Sequence, residues 1–478
     1  MRNGDVSHWW RARGGFPARR PSLPGPGEAD VCIVGAGYTG LWTAYYLKGL
    51  RPELRVVILE AAFAGFGASG RNGGWVTSEL PGSRARFARG PRGTAGVRAL
   101  EAALRDTVDE VGRVIAEESI PADFTRGGRL SVATSPPQLA RLQAGLAHLR
   151  EWGDGEDVYA FLGRDKLAER INIVGALGAL FAPHSARIQP AALAAGLAAA
   201  AERRGVEIYE ATPVTAILAS GDAGAGAGAV ARTEFGDMRA RSVLRCTEGF
   251  TASLEGARRV LLPMNSSMVV TEPLPADAWK AIGWDGFETL SDEAHAYVYA
   301  QRTADGRIAI GGRGVPYRFG SKTDHRGVID DRTAAALGGM LRRMFPAAAT
   351  VRLDHAWCGV LGVPRDWCAS VMYNPASGTG WAGGYTGHGV AAANLAGRTL
   401  AHLVLGISSE LTTLPWVGHR WRAWEPEPAR WAGVHGLYAL YRMADRLEST
   451  PAAGGGRARI AAGEALGRVG DVISGIPH

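Results

Sequence analysis

Lysine is nearly missing from this chain: it occurs only at positions 48, 166, 280 and 322, and arginine carries the rest of the positive charge. The formal net charge is +7, yet no block of five or six like charges appears. The basic stretches at 11–20, 239–245 and 419–422 are short and scattered, which disfavours nucleic-acid binding and fits codon bias in a GC-rich genome. Cysteine is also scarce. Cys32, Cys246, Cys358 and Cys368 show no CxxC spacing, so neither a disulfide framework nor a structural zinc is implied, and a reducing compartment fits. Cys32 lies in an apolar run as a small filler. No run of about eighteen apolar residues exists to span a bilayer. Arg19 and Arg20 are followed by a proline-rich stretch instead of an apolar signal core, so the chain reads as cytoplasmic. At 478 residues it is long for one domain, and two are expected.

What is present is organised around residues 29–75. An apolar run at 31–34 enters Gly35-x-Gly37-x-x-Gly40, a helical pattern follows to about Gly49, and a second apolar run at 55–59 ends in Glu60. Gly35 allows the tight turn out of the strand, Gly37 lets the backbone approach a pyrophosphate, and Gly40 lets the helix lie close to the sheet. The helix start offers free N–H groups and a positive dipole end to phosphates. Glu60, twenty residues past Gly40, is placed to accept from a ribose diol and would repel a 2′-phosphate. The order strand, glycine turn, helix, strand, acid predicts dinucleotide binding. A second glycine-rich loop, Ser69-Gly70-Arg71-Asn72-Gly73-Gly74, allows close approach to a flat ligand before Trp75 and Val76 return to apolar sequence.

Along the rest of the chain, residues 1–28 form an arm in which Trp9 and Trp10 anchor to the body. Apolar spacing at Val97, Leu100, Leu104, Val108, Val111 and Ile115 predicts a helix over 95–118. A strand at 130–133, a helix at 138–152, an alanine-rich helix at 190–204 and a hairpin of 214–218 with 230–235 follow. Residues 260–271, 297–302 and 307–311 read as strands, the last two flanking an Asp305-Gly306 turn. A third glycine-rich loop, Gly383 to Val390, opens a helix to about Leu405. Residues 416–447 are rich in Trp and Arg, and the Gly/Ala-rich tail after Thr450 is expected to be partly mobile. The expected domains are 29–112, 183–258 and 353–406 for the dinucleotide, and 113–182 with 259–352 for the substrate. Residues 407–478 form an extension.

These residues together resemble the FAD-dependent oxidoreductases of the D-amino-acid oxidase-like superfamily, closest to the gamma-glutamylputrescine oxidoreductase branch. The carriers are GAGYTGLWTAYYL with Glu60, FGASGRNGG at 66–74, the segment 178–214, TEPLP at 271–275, RTADGRIAIGGRG at 302–314 and GGYTGHGVAAANLAGRTLA at 383–401. The resemblance implies an α/β (α+β) chain of glutathione-reductase-like architecture, with a Rossmann-type FAD-binding domain and a second domain built on a mixed or antiparallel sheet. It places Gly35, Gly37 and Gly40 on the FAD pyrophosphate and Glu60 on the adenosine ribose. Ser69, Gly70, Arg71, Asn72 and Gly73 would wrap the diphosphate and flavin side, and Val214 would meet the adenine through its backbone. Gly387, His388, Gly389 and Val390 would lie along the pyrimidine edge of the flavin. A helix N-terminus there would stabilise the negative charge of the reduced ring, so FAD is preferred to NAD.

Two departures bear on substrate. Amino-acid-oxidising members often place an arginine clamp in a G-x-R-P segment; here Leu361 holds that position and Arg365 is displaced. The strand ending at Cys246 continues Thr247-Glu248-Gly249, where members more often carry Asn and Ala, so Glu248 reads either as a substitute contact or as a surface residue. The expected reaction is oxidation of a C–N bond in a primary or secondary amine by hydride transfer to flavin N5, the imine then hydrolysing. O2 or another acceptor would take the electrons. Such chemistry needs orientation and flavin tuning more than acid–base machinery. His388, Arg71 and Arg313 are candidates to act beside the flavin, and Tyr299 and Trp357 to wall the amine site. His184 reads as structural. No lysine stands at 259–272 or 306–314 to activate oxygen, so oxidase and dehydrogenase both stay open. The alternatives are a D-amino-acid oxidase or dehydrogenase, a flavin-dependent tRNA-modifying protein, and peripheral membrane contact through 416–447, which is not favoured.

Overall fold

The computed structural model describes residues 1–222, 228–312, 314–323, 326–449 and 456–474. Arg313, five residues of the 220–229 loop and the start and end of the tail fall outside them.

The strand Gly27–Val34 has four consecutive buried residues at its end, as a strand covered on both faces requires. It pairs in parallel with Val56–Leu59 on one side and with Gly236–Arg245 on the other. The sheet runs Val214–Leu218, Ala229–Thr233, Gly236–Arg245, Gly27–Val34, Val56–Leu59, Glu207–Tyr209, with Thr379–Gly383 and Ser370–Asn374 joined alongside. The helices Tyr38–Leu50, Gly93–Glu117, Pro190–Arg203 and Gly389–Leu405 bury their apolar sides together against this sheet. All six apolar positions that predicted the 95–118 helix are buried. Small residues allow the close approach of two of these helices: a Cβ on Gly397 would lie 2.7 Å from the Cβ of Trp42.

A nine-stranded sheet lies beside it. It contains Leu262–Thr271, Tyr299–Arg302, Ile308–Gly312, Thr289–Asp292 and Arg129–Ala133. Most of its pairs are antiparallel, but Thr289–Asp292 runs parallel to Arg129–Ala133. Two segments expected elsewhere join this sheet. Leu353–Val363, assigned from sequence to the dinucleotide part, pairs along the length of Leu262–Thr271. Arg2–Asn3 of the arm adds a parallel edge to it. Trp9 and Trp10 are buried in a cluster with Phe63, Ala191 of the helix Pro190–Arg203, and Met268, Val270, Ala309 and Trp357 of the nine-stranded sheet, as anchors. The tail contains a helix, Gly456–Ser474, packed on Ala429–Glu448. Its alanines and spaced apolar residues favour helix once a partner is present, which composition alone did not reveal.

Candidate flavin site

Gly35 adopts φ +103°, and a Cβ there would come within 2.7 Å of the Cys246 carbonyl. A Cβ on Gly40 would lie 2.0 Å from the Gly35 carbonyl, so the helix Tyr38–Leu50 sits directly on the turn it leaves. Gly37 is the N-cap of that helix and provides no side-chain acceptor. Ser69 Oγ accepts from Tyr38 N–H at 2.8 Å, bringing the second glycine loop over the helix start. Glu60 accepts from the N–H groups of Ala36 at 2.8 Å and Ala62 at 2.9 Å, and burial pushes its carboxyl up. Val214 begins the outer hairpin strand of the same sheet.

The loop at 69–74 is held from the other sheet. Asn72 Oδ1 accepts from Gly74 N–H at 2.7 Å, and Gln301 Nε2 donates to the Gly73 carbonyl at 2.6 Å. Tyr299 lies against this loop: a Cβ on Gly73 would meet its ring at 2.9 Å, and its hydroxyl is 2.7 Å from Ser266 Oγ. Arg71 and Trp357 sit deeper. Arg71 is 1 % exposed, donates to the carbonyl of Phe66 at 2.7 Å, and stacks on the Phe66 ring. Trp357 is wholly buried among His8, Trp9 and His355 and donates to the Arg71 carbonyl at 2.9 Å. This corrects the expectation of an amine-site wall, because no face of its ring is left to meet a ligand. Arg313 lies outside the described residues.

The third loop ends at His388, the N-cap of Gly389–Leu405, again without a side-chain cap on the first-turn N–H groups. Gly387 has φ +119°, and a Cβ there would meet nothing within 4 Å, so one face of the loop is open. Glu248, at φ +42°, reaches this loop from the end of strand Gly236–Arg245. Its carboxylate accepts from Gly384 N–H at 2.9 Å and Tyr385 N–H at 3.2 Å. Burial pushes it up to about 7 despite those bonds.

His388 also meets a group that sequence reasoning missed. Glu79, two residues past the strand Trp75–Thr77, places one oxygen 2.9 Å from His388 Nδ1 and the other 2.6 Å from an Arg129 nitrogen. Burial works to raise Glu79, but Arg129 and His388 outweigh it and hold it at about 2. A carboxylate can only accept, so Nδ1 carries the proton and Nε2 of a neutral ring is left as the basic nitrogen. Glu293 stands near Arg129 as well; burial raises its carboxyl, with Arg129 opposing. The one signal for Glu79 in the sequence was its place at the exit of the 69–74 loop. Nothing in the sequence pointed to Arg129, which arrives from the other sheet.

At the expected clamp, Leu361 is half-buried and packs with Leu262, Met264 and Tyr317. Arg365 is engaged elsewhere, paired with Glu425 at 2.9 Å and lying over the Trp424 ring.

These features fit a flavin dinucleotide: two helix starts with uncapped N–H groups, loops too tight for a Cβ, and an acid at the second strand's tip. The model for FAD dependent oxidoreductases matches residues 30–403. The chain is 30 % identical over 411 residues to the probable oxidoreductase OrdL of Rhizobium meliloti (strain 1021), covering 82 % of this chain and 87 % of that one. It is 29 % identical over 389 residues to the gamma-glutamylputrescine oxidoreductase of Escherichia coli (strain K12), covering 79 % and 84 %. Among solved structures, glycine oxidase from Geobacillus kaustophilus superposes with a TM-score of 0.67 at 20 % identity, over 82 % of this chain and 99 % of that one, a likeness of fold. The chain therefore belongs to the FAD dependent oxidoreductase family, and its cofactor is FAD.

Proposed function

We propose that the protein oxidises the C–N bond of a primary or secondary amine that bears no carboxylate on the reacting carbon. The observation that carries this reading is the clamp: Leu361 is apolar, and Arg365 is tied to Glu425. An α-carboxylate bound there would lose its hydration and gain no cation from either of these two positions. The similarity to a gamma-glutamylputrescine oxidoreductase supports the same substrate class.

The bound flavin supplies the two-electron acceptor; the chain's own residues orient the amine and handle its proton. In this reading Glu79 and Glu293 attract the protonated amine, and Tyr299 offers an aromatic face to its carbon chain. His388 Nε2 takes the ammonium proton, because only the neutral amine has the lone pair that assists cleavage of the neighbouring C–H bond. Glu79 holds the ring for that task and stabilises the charge it acquires. Arg71, carrying its charge into the floor of the 69–74 loop, positions that loop.

The test is anaerobic flavin bleaching with mono- and diamines beside D- and L-amino acids, followed by air. We expect bleaching by amines and at least tenfold slower bleaching by α-amino acids. Comparable rates would favour a D-amino-acid oxidase or dehydrogenase, and bleaching by neither would remove the C–N reading. Prompt return of colour in air identifies O2 as the acceptor.

A further inference from the structure

A cavity of about 290 Å³ opens between the arm, the turn that precedes the helix Pro190–Arg203, and the hairpin turn at 303–306. It shares no lining residue with the group around His388. Arg187 lines it at 5 % exposure, and its Nε has no hydrogen-bond partner among the described residues. The strand Ser185–Arg187 is fixed by its ladder to Trp75–Thr77, so the side chain cannot leave with its backbone. Its contact is with the Phe287 ring, 4.7 Å away. Asp123 and Asp305 line the same cavity and act on its charge, but neither forms a direct ion pair with it among the described residues. Asp305 is taken by Arg307 and Thr303, each at 2.6 Å, and Asp123, exposed at the rim, makes no ion pair with it among the described residues. A buried guanidinium with unused donors is costly unless an anion meets it.

Two further groups on the same wall are unpaired. Gln301 is 1 % exposed, and its Nε2 donates to the Gly73 carbonyl, with the Ile188 carbonyl at 3.4 Å. Those two acceptors fix the amide's orientation and leave Oε1 as an acceptor without a donor. His8 is 4 % exposed with Nδ1 unpartnered, and burial pushes its pKa down to about 4, so the ring is neutral at pH 7. Arg187, Gln301 and His8 all line the cavity, and among the described residues their Nε, Oε1 and Nδ1 atoms stand unpartnered with almost no exposed surface, so a ligand reaches them where these side chains turn towards it. Waters would satisfy these atoms one by one, but a bound anion adds the direct ion pair that Asp123 and Asp305 do not make.

We propose that this cavity is a binding site for a short carboxylate carrying an N–H or O–H donor on the neighbouring carbon, the class of hydroxy and amino acids. The carboxylate pairs with Arg187, and the donor bonds to Gln301 Oε1. Because the same Gln301 side chain holds Gly73, occupancy reaches the 69–74 loop through one residue.

Glycolate is the discriminating probe, since it has the carboxylate and the donor but no amine to oxidise. Calorimetry and thermal unfolding of the FAD-loaded protein are expected to show saturable glycolate binding. Acetate, which lacks the donor, should bind at least tenfold more weakly. Arg187→Met should abolish the glycolate response while leaving the ligand-free protein at least as stable as the wild type; a purely structural arginine would instead lower stability. Should that variant fail to fold, Gln301→Met serves, and glycolate should lose its advantage over acetate. Absence of saturable binding to the wild type overturns the proposal, as does an unchanged glycolate response in Arg187→Met or a retained preference in Gln301→Met.

Discussion

Glu79 joins three stretches of chain at one carboxylate: the strand leaving the 69–74 loop, the start of helix Gly389–Leu405, and Arg129 of the second sheet. Its folded pKa, about 2, lies below the ordinary 4.5. Stability from this group is therefore present at neutral pH and lost as pH falls from 4.5 towards 2. At 1.36 kcal/mol per pH unit, that is on the order of 3 kcal/mol. We expect Glu79→Gln to lose roughly 2 kcal/mol or more in urea at pH 7, allowing for partial exposure, with the deficit narrowing as pH is lowered through 4. A deficit independent of pH would show that the carboxylate's charge is not what matters. In steady-state kinetics the same variant should lower kcat/KM for amines by about a hundredfold while retaining FAD, within the usual span for disturbed acid–base groups. Glu248 has the opposite sign. Its pKa is raised to about 7 by burial, so its contribution is most favourable in acid and declines as pH rises from 4.5 through 7. Glu248→Gln should gain about 2 kcal/mol relative to the wild type between pH 5 and pH 8, read from urea midpoints.

At the scale of elements, the flavin site depends on how closely helices approach turns. Gly40→Ala drives a methyl to within 2.0 Å of the Gly35 carbonyl oxygen, which is backbone and cannot yield as the end of a flexible side chain would. The cost is expected to be about 3 kcal/mol or more, with loss of bound FAD measured by absorbance after desalting. Gly387→Ala meets no atom, so its cost is backbone strain alone, about 1–2 kcal/mol. Equal losses from the two variants would mean that close packing is not what distinguishes Gly40. The glycine spacing and the apolar periods made these elements legible, because each depends on neighbours in the chain. The Glu248 bridge to Gly384 and Tyr385 was not legible, since its partners stand more than a hundred residues apart.

Over the whole molecule, the C-terminal extension closes one end of the nine-stranded sheet. Trp416 and Trp424 are buried, Trp421 donates to the Cys368 carbonyl at 2.8 Å, and Trp431 is exposed. Trp424 donates to the Val363 carbonyl and packs with Leu262, Tyr317 and Tyr438. Glu448 pairs with Arg141 at 2.8 Å and His295 at 3.0 Å, tying the helix Ala429–Glu448 to the helix Pro136–Glu151 and to the loop between Thr289–Asp292 and Tyr299–Arg302. Three of the four tryptophans thus face protein, and no helix among the described residues is long and apolar enough to cross a membrane. Trp424→Ala is expected to cost about 3–5 kcal/mol by urea unfolding. Liposome co-sedimentation should leave the intact protein in the supernatant; pelleting that needs the 416–447 segment would reverse this reading.

Residues 29–75 and 383–390 by themselves determined the nucleotide fold and, through the resemblance they carry, the cofactor, because a tight turn, a helix start and an acid at fixed spacing are local requirements. Tertiary structure alone decided what lies around the flavin site. Glu79, Arg129 and His388 come together from three separated segments. Trp357 is carried into the interior by its strand's pairing with Leu262–Thr271. Arg187 is held by its ladder in a cavity where, among the described residues, no carboxylate forms a direct ion pair with it. Burial and charge pairing are sums over long-range contacts, and no window of the chain contains them.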